Sequence, residues 1–267
     1  MQMTPERYEK ILKVLNSRQT DLTVITDQVH KGRNLSAIIR TADAVGIHRV
    51  HAVYDQGVYR PHTGTAMGAH KWVKTTVHQD IVTPIEMLQS EGFQVLAAHF
   101  DKRAVDYREV DYTKPTALLL GAEKWGVSES AYSRVDGTVM VPMMGMGSSF
   151  NVSVACAIIL AEAQRQRSEA GMYNHCHISP SEYQTVHFEW CQPLIARMCR
   201  DSGLSYPELD DTGHLQDPQA FSRLYNELKA NARKAKNLRT EAHKAKSPMV
   251  NESGVNDSRV NDPDAMG

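Results

Sequence analysis

A single arginine, Arg40, lies in a segment of mostly apolar or small residues, NLSAIIRTADAVG (34–46). A guanidinium stays protonated and donates charge-assisted hydrogen bonds to phosphates and to oxygen atoms that gain negative charge. Helical spacing places Arg40 opposite an aliphatic stripe and beside the small residues Ser36, Ala37 and Ala44. Two interpretations stay open from this segment alone: a solvated arginine, or one that meets a partner subunit or a ligand across a close-packed surface. The stripe consists of Leu35, Ile38, Ile39, Ala42 and Val45.

Three further segments include the ends of predicted strands, and glycines follow the strand in two of them. The segments are LAAHF (96–100), LLLGAEKWGVS (118–128) and VPMMGMGSSFN (141–151), and Glu123 is their only carboxylate. Glycines at the carboxyl ends of parallel strands let the backbone approach a ligand closely. Three such ends together favour a rim that binds an adenine and a ribose, although each glycine alone is equally well explained as a turn.

Other chemistries lack their usual motifs in this sequence. No GxGxxG follows the first strand, and no GxxxxGK[ST], HExxH or nucleophile-elbow motif is present, which argues against standard Rossmann and P-loop nucleotide sites. A Cys–His cluster occurs in HCH (175–177), but its spacing matches no standard zinc pattern. We therefore expect no metal site.

Strand-like and helix-like segments alternate through the first two thirds of the chain, which predicts an α/β domain with a mainly parallel sheet. The expected strands are 22–26, 49–54, 73–78, 94–100, 116–122 and 138–144. The expected helices are 34–46, 80–91 with Asp80 as its cap, 151–170 ended by Gly171, 179–202 with a kink at Pro193, and 219–246.

Length, composition and cysteine content limit the class of protein. The chain has 267 residues, of which 41% are hydrophobic, enough for one large domain or one domain with appendages. It contains no run of about 20 apolar residues, and its N-terminus lacks the apolar core of a secretion signal. Its four cysteines form no CxxC pair and are typical of reduced thiols. We expect a cytoplasmic protein that does not span a membrane.

Positive charge is local rather than general. The formal net charge is −1, so any nucleic-acid surface must come from particular segments. One candidate is the N-terminal helix in TPERYEKILKVLNSRQ (4–19), which carries four cations. The second is 229–246, with seven Lys or Arg and one Glu, which favours a polyanion-binding arm over an ordinary solvated helix. The residues after 246 have almost no large apolar side chains and are expected to be disordered.

The motif segments together resemble a known family. NLSAIIRTADAVG, LLLGAEKWGVS and SSFNVSVACAIILAEAQRQR are similar to the three signature segments of the SpoU/TrmH branch of the SPOUT methyltransferases. RYEKILKVLNSRQTDLTVITDQVHK and AEAQRQRSEAGMY resemble more closely the tRNA (guanosine-18) ribose methyltransferases within that branch. The resemblance covers about residues 4 to 228. Three ordered motifs with matching flanks make it specific.

The resemblance implies a fold, a reaction and partners. It implies a SPOUT-type α/β sheet with a C-terminal trefoil knot, plus N- and C-terminal helical extensions. The reaction would be S-adenosyl-L-methionine-dependent 2'-O-methylation of guanosine 18 in the D-loop of tRNA, by a homodimer. The expected divisions are 1–20 (N-terminal extension), 21–171 (methyltransferase domain), 172–228 (C-terminal extension) and 229–267 (basic, then disordered tail). Phe150 departs from the leucine that the family usually has, and nothing carries over to the tail.

The resemblance also assigns roles to individual residues. The essential arginine of the family corresponds to Arg40, which we expect to act as a charge-assisted donor rather than as a base. The other expected catalytic residues are Asn34, Ser149 and Asn151. The expected cofactor-binding residues are Ala98, Gly121, Glu123, Val141 and Phe150. The expected RNA-binding residues are Arg7, Arg18, Lys31, Arg33, Arg165 and Arg167. Two alternatives stay open: a ribosomal-RNA 2'-O-methyltransferase of the same family, and a non-catalytic RNA-binding protein.

Overall fold

A parallel β-sheet forms the centre of the computed structural model, which describes residues 3–29, 31–54 and 68–246, without the side chains of 239–246. In these residues seven strands are present: β1 Leu22–Asp27, β2 Arg49–Val53, β3 Lys74–His78, β4 Gln94–Ala98, β5 Val105–Asp106, β6 Thr116–Leu120 and β7 Gly137–Met140. Their order in the sheet is β3-β2-β1-β6-β4-β7-β5, and each neighbouring pair is parallel. The predicted α/β class with a parallel sheet is confirmed; β5, a two-residue edge strand, was not predicted.

The order of the strands explains why distant segments meet. Strands β6, β4 and β7 are neighbours, with Leu96 opposite Leu118 on one side and opposite Gly137 on the other. All three run in the same direction, so the residues that follow them emerge at one edge of the sheet.

Helices cover both faces of the sheet. Helix α1, Pro5–Asn16, precedes the domain, whose helices are α2 Gly32–Ala44, α3 Val82–Ser90, α4 Glu129–Tyr132 and α5 Val152–Glu169. Residues of α2 and α5 share a core with Leu118 and Leu120, while α3 and α4 share the opposite core with Ala117 and Leu119. This alternation along β6 is what a strand buried on both faces requires. Asp80 accepts a 2.8 Å hydrogen bond from the Thr83 amide in the first turn of α3, as a capping aspartate does, although the residue directly before the helix is Ile81.

The terminal extensions pack on each other at one end of the domain. Ile11 and Leu15 of α1 are buried with Val186 and Trp190 of α6 (Pro180–Cys191). The prediction of one kinked helix over 179–202 is wrong, because the chain forms two helices, α6 and α7 (Pro193–Ser202). Gln192 between them has φ −127° and ψ 58°, since a residue before proline avoids the helical region.

The last described element is a long helix, α8 (Pro218–Lys246). Its position agrees with the helix predicted at 219–246. The disordered end predicted after residue 246 lies outside the described residues.

Candidate active site

A groove of about 600 Å³ opens at the carboxyl ends of β4, β6 and β7. Its wall contains all five residues expected to bind the cofactor and two of the four expected catalytic residues. These are Ala98, Gly121, Glu123, Val141, Ser149, Phe150 and Asn151. Lys31, expected to bind RNA, also lines it. The volume is typical of a site for a small organic ligand.

Asn34 joins the groove to α2 through a chain of hydrogen bonds. Its side-chain nitrogen Nδ2 donates to Glu123 Oε1 over 2.6 Å, and its side-chain oxygen Oδ1 accepts from Asn151 Nδ2 over 3.3 Å. The Oδ1 of Asn151 in turn accepts the Ser153 amide over 2.9 Å and so caps α5. Three of the residues that the motifs single out therefore connect two loops and two helix ends, although they are far apart in the chain.

The loop after β6 is closed by a tight backbone contact. Ala122 and Gly126 exchange two amide–carbonyl hydrogen bonds of 2.8 Å each. A Cβ atom on Gly121 would lie 2.1 Å from the carbonyl carbon of Gly126, so residue 121 must be glycine. Gly126 itself has φ +70°, which also favours glycine.

Two aspartates support the rim and were not found from the sequence. Asp27 at the end of β1 is 2% exposed and accepts the Ser128 amide over 2.9 Å. Asp101, just after β4, accepts hydrogen bonds from Tyr132, from Thr138 and from the Arg103 amide. The hydrogen bond from Tyr132 contributes most to lowering the pKa of Asp101 to about 2, so this carboxylate stays ionised. An aspartate directly after a predicted strand is the signal that could have pointed to both.

Arg40 lies on the exposed face of α2, and the aliphatic stripe opposite it is buried, as predicted. Within the described residues it forms no ion pair, and it does not line the groove. It lies six positions after Asn34, so the two side chains leave the helix about 120° apart. One expected neighbour differs in its exposure: Ser36, one turn before Arg40, is fully buried and is not part of the exposed surface around that arginine.

Two of the six cations expected to bind RNA are internal, which corrects that expectation. Arg18 is fully buried, paired with Asp43 at 2.5 Å and bonded to the Ile47 carbonyl at 2.9 Å. Arg167 is also fully buried and pairs with Asp21 at 2.5 Å. A guanidinium held inside the protein by a carboxylate is not available to a phosphate, so we remove both residues from the RNA-binding set.

The other four cations reach the surface. Lys31 and Arg33 are exposed at the start of α2. Arg165 is exposed on α5, where Glu162 and Glu169 each lie 2.7 Å from its guanidinium and raise its pKa. Arg7 is half-buried, with its guanidinium 5.9 Å from the centre of the Trp72 ring.

The described part of the chain offers neither a metal site nor a membrane span. Among the described residues, no three His, Cys, Asp or Glu side chains come together in a way that could hold a metal ion. In HCH (175–177), His177 instead bonds the Met172 carbonyl at 2.7 Å. The four cysteines are free thiols. No described helix has both the length and the apolar character needed to cross a membrane.

Comparison with known proteins shows the family to which the chain and the segments that form this groove belong. The model of the SpoU rRNA methylase family matches residues 21–161, and that of the SpoU rRNA methylase C-terminal region matches residues 165–218. The chain belongs to the SpoU methylase family. All residues of the groove lie inside the first match, and α8 starts where the second ends.

Individual SpoU relatives match over most of the chain. The tRNA (guanosine(18)-2'-O)-methyltransferase of Escherichia coli K12 is 45% identical over 216 residues, which are 80% of this chain and 94% of that enzyme. The crystal structure of a TrmH/SpoU tRNA-modifying enzyme from A. aeolicus is 41% identical, with a TM-score of 0.66 over 69% of this chain and 94% of that chain. The SpoU methyltransferase AviRb of Streptomyces viridochromogenes, solved in complex with AdoMet, is 27% identical with a TM-score of 0.52; the match covers 58% of this chain and 62% of that chain.

Proposed function

We propose that this chain methylates the 2'-hydroxyl of guanosine 18 in the D-loop of tRNA, with S-adenosylmethionine as methyl donor. The observation that carries the proposal is the 45% identity to an enzyme of that name over 94% of its length. The groove adds a site of suitable size in the segments that the SpoU model matches.

The groove fits S-adenosylmethionine by its shape and its chemistry. The ends of three parallel strands offer backbone donors and acceptors with little side-chain bulk, which suits an adenine and a ribose. The fixed backbone around Gly121 and the capped start of α5 keep these groups in place. Ala98, Gly121, Val141 and Phe150 would hold the cofactor, mainly through their backbone. When bound, S-adenosylmethionine supplies an electrophilic methyl group on a sulfonium.

Arg40, Ser149 and Asn151 would act on the RNA. The 2'-hydroxyl is a weak nucleophile and must share or lose its proton as it attacks. A guanidinium is a cationic donor, so the role of Arg40 would be to orient the hydroxyl or an adjacent phosphate and to stabilise the negative charge that develops on oxygen. Ser149 and Asn151 stand at the groove and position the ribose. Asn34 and Glu123 hold Asn151 and the loop in register.

We propose that the chain acts as a homodimer. Arg40 does not line the groove of its own chain, and its side chain leaves α2 about 120° from that of Asn34, so a second copy would bring an Arg40 to each groove. Apolar side chains around the groove are exposed, among them Met144, Met146 and Val154. Exposed apolar groups that lie close together are typical of an interface. Light scattering coupled to gel filtration measures this directly.

Four further features are proposed from the SpoU methylase family: the knot, the domain boundaries, a reaction without metal and the cellular location. We propose that the C-terminal part of the domain is threaded into a trefoil knot. The insertion of β6 between β1 and β4, with β7 beyond β4, supports this threading. We also propose the division of the chain into 1–20, 21–171, 172–228 and 229–267, and a reaction that uses no metal. We propose a cytoplasmic location, which the free cysteines support.

The test is methyl transfer from labelled S-adenosylmethionine to unmodified tRNA, with the product mapped by position. We expect label on the ribose of guanosine 18 with the natural chain. Arg40→Ala should lose transfer by about two to three orders of magnitude, the usual cost of removing a donor to developing charge, without loss of cofactor affinity. Arg197→Ala, which removes an exposed cation paired with Asp201 on α7, is the matched control and should stay active.

Other outcomes point to other functions. Transfer to ribosomal RNA but not to tRNA would favour the ribosomal alternative. Binding of tRNA without transfer or cofactor affinity would favour a non-catalytic RNA-binding protein. Full activity of Arg40→Ala would return this arginine to a merely solvated surface.

A further inference from the structure

Helix α8 is an appendage that the reaction proposed above does not use. It begins at Pro218, the residue at which the SpoU match ends, and Asp217 caps it by accepting the Ala220 amide over 2.8 Å. Its 29 residues give a length of about 43 Å. Every residue from Lys229 to Leu238 is exposed, so this part of the helix does not pack on the domain.

The cations in the first two thirds of α8, as far as Lys236, lie on one side of the helix. At 100° per residue, its first five cations fall within an arc of about 160°. They are Arg223, Lys229, Arg233, Lys234 and Lys236, all exposed. The larger apolar residues Phe221, Leu224, Tyr225 and Leu228 fall within a separate arc of about 100°. We call the first set the basic face and the second set the apolar stripe.

Most cations of the basic face have no acidic partner among the described side chains. Among the described side chains, Arg223, Arg233 and Lys234 have no carboxylate within ion-pair distance, and Lys229 contacts the Tyr225 ring at 4.6 Å. The cations of α5 are different, because Arg165 is held there by two glutamates. Residues 229–246 carry seven cations and one Glu, in a chain whose total charge is −1. The structure thus concentrates positive charge on a helix that extends from a domain whose own formal net charge is negative.

We propose that α8 is an RNA-binding arm whose basic face contacts the phosphate backbone of tRNA outside the catalytic site. The proposal rests on the proposed function, which makes tRNA the substrate. The five cations extend about 20 Å along the helix, long enough to contact several phosphates of one RNA helix. Such contacts carry no sequence information, so the arm raises the affinity for tRNA without selecting the nucleotide.

Two other partners fit the helix less well. Self-association through the apolar stripe would bring two strongly positive helices side by side, and the stripe continues beyond Leu228 only as the small residues Ala232 and Ala235. A membrane-surface helix needs large apolar residues along its whole length, which the same alanines do not provide. The charge therefore favours a polyanion.

The experiment compares tRNA binding by the full chain and by two α8 variants as NaCl is varied. The first variant replaces the five cations of the basic face with glutamine, which keeps the helix propensity. The matched control, Leu224→Gln with Leu238→Gln, changes two exposed apolar residues of the same helix and no charge. Unmodified tRNA is the probe. Methyl transfer at saturating tRNA and the affinity for S-adenosylmethionine are measured in parallel.

We expect the basic-face variant to lower the slope of log Kd against log salt by about 2 to 4, at about 0.7–0.9 for each phosphate that the arm no longer neutralises. Its Kd for tRNA near 150 mM salt should rise at least about tenfold, while the control, the cofactor affinity and transfer at saturating tRNA stay unchanged. An unchanged slope with active enzyme overturns the arm and leaves the proposed function standing. If the tRNA slope is unchanged and the oligomeric mass of either α8 variant falls, α8 mediates self-association instead. If the tRNA slope is unchanged and either variant binds anionic vesicles more weakly than the full chain, α8 binds a membrane surface instead. Absence of transfer by the full chain overturns the proposed function, and the slope still tests the arm.

Discussion

Replacing Arg167 with methionine should destabilise the fold rather than weaken RNA binding. The guanidinium has five N–H donors, and all five are used: they bond Gln19 Oε1, Asp21 Oδ1 and the carbonyls of Asp21, Tyr112 and Lys114, at 2.5–3.1 Å. Methionine keeps most of the apolar stem but none of these donors. The Asp21 carboxylate, 26% exposed, would lose its partner.

The size of the effect follows from this burial. Removing one partner of a buried ion pair costs about 3–5 kcal/mol, because the other charge and the bonded carbonyls stay desolvated. At about 2–4 °C per kcal/mol for a domain of this size, the melting temperature should fall by roughly 6–20 °C. Urea unfolding and calorimetry measure both quantities.

Arg165→Met is the matched control, two residues away on the same helix. Arg165 is 54% exposed and its ion pairs are in solvent, where such pairs contribute about 0–1 kcal/mol. We expect little change in its stability. If Arg167→Met unfolded as the natural chain does, but bound tRNA more weakly and with a smaller salt slope, then the internal role assigned to Arg167 would be wrong.

Two further substitutions test the rim and the sheet. Gly121→Ala should abolish high-affinity binding of S-adenosylmethionine in calorimetric titrations, because the new Cβ would displace the Gly126 backbone. The control is Gly145→Ala, whose Cβ meets nothing within 4 Å. Equal affinities of the two variants for S-adenosylmethionine would contradict this reasoning. His51→Gln should reduce the loss of stability between pH 6.5 and 4. Burial, and after it the charge of His78, lowers the pKa of His51 from 6.5 to about 4. Between these two pH values His51 is protonated in the unfolded chain but mostly neutral in the folded chain. Acidification therefore favours unfolding, and by pH 4 the free energy of unfolding falls by roughly 3 kcal/mol through this residue. Urea unfolding at pH 7 and pH 4.5 checks this, and an equal loss in both proteins would exclude His51 as its source.

Patterns in the sequence predicted the elements that depend on neighbouring residues. The strands agree with the structure to within a few residues, and the buried stripe of α2 is as expected, because burial on one face repeats with the period of the element. The break at Gln192 is also local, since Pro193 excludes the helical conformation before it, but a kinked helix was expected there. The groove was predicted as a rim of three strand ends, and the neighbouring order of β6, β4 and β7 confirms that these ends meet.

The sequence by itself determined the class of fold, the three rim segments and the exposed position of Arg40, because each depends on local spacing. Only the tertiary structure decided which cations reach solvent. Arg165 and Arg167 are two residues apart and chemically identical, yet one reaches solvent and the other is buried against Gln19 and Asp21, almost 150 positions earlier in the chain. The bond from Asn34 to Glu123 likewise spans 89 positions. Partners so distant are set by the packing of the sheet and its helices, and local spacing carries no information about them.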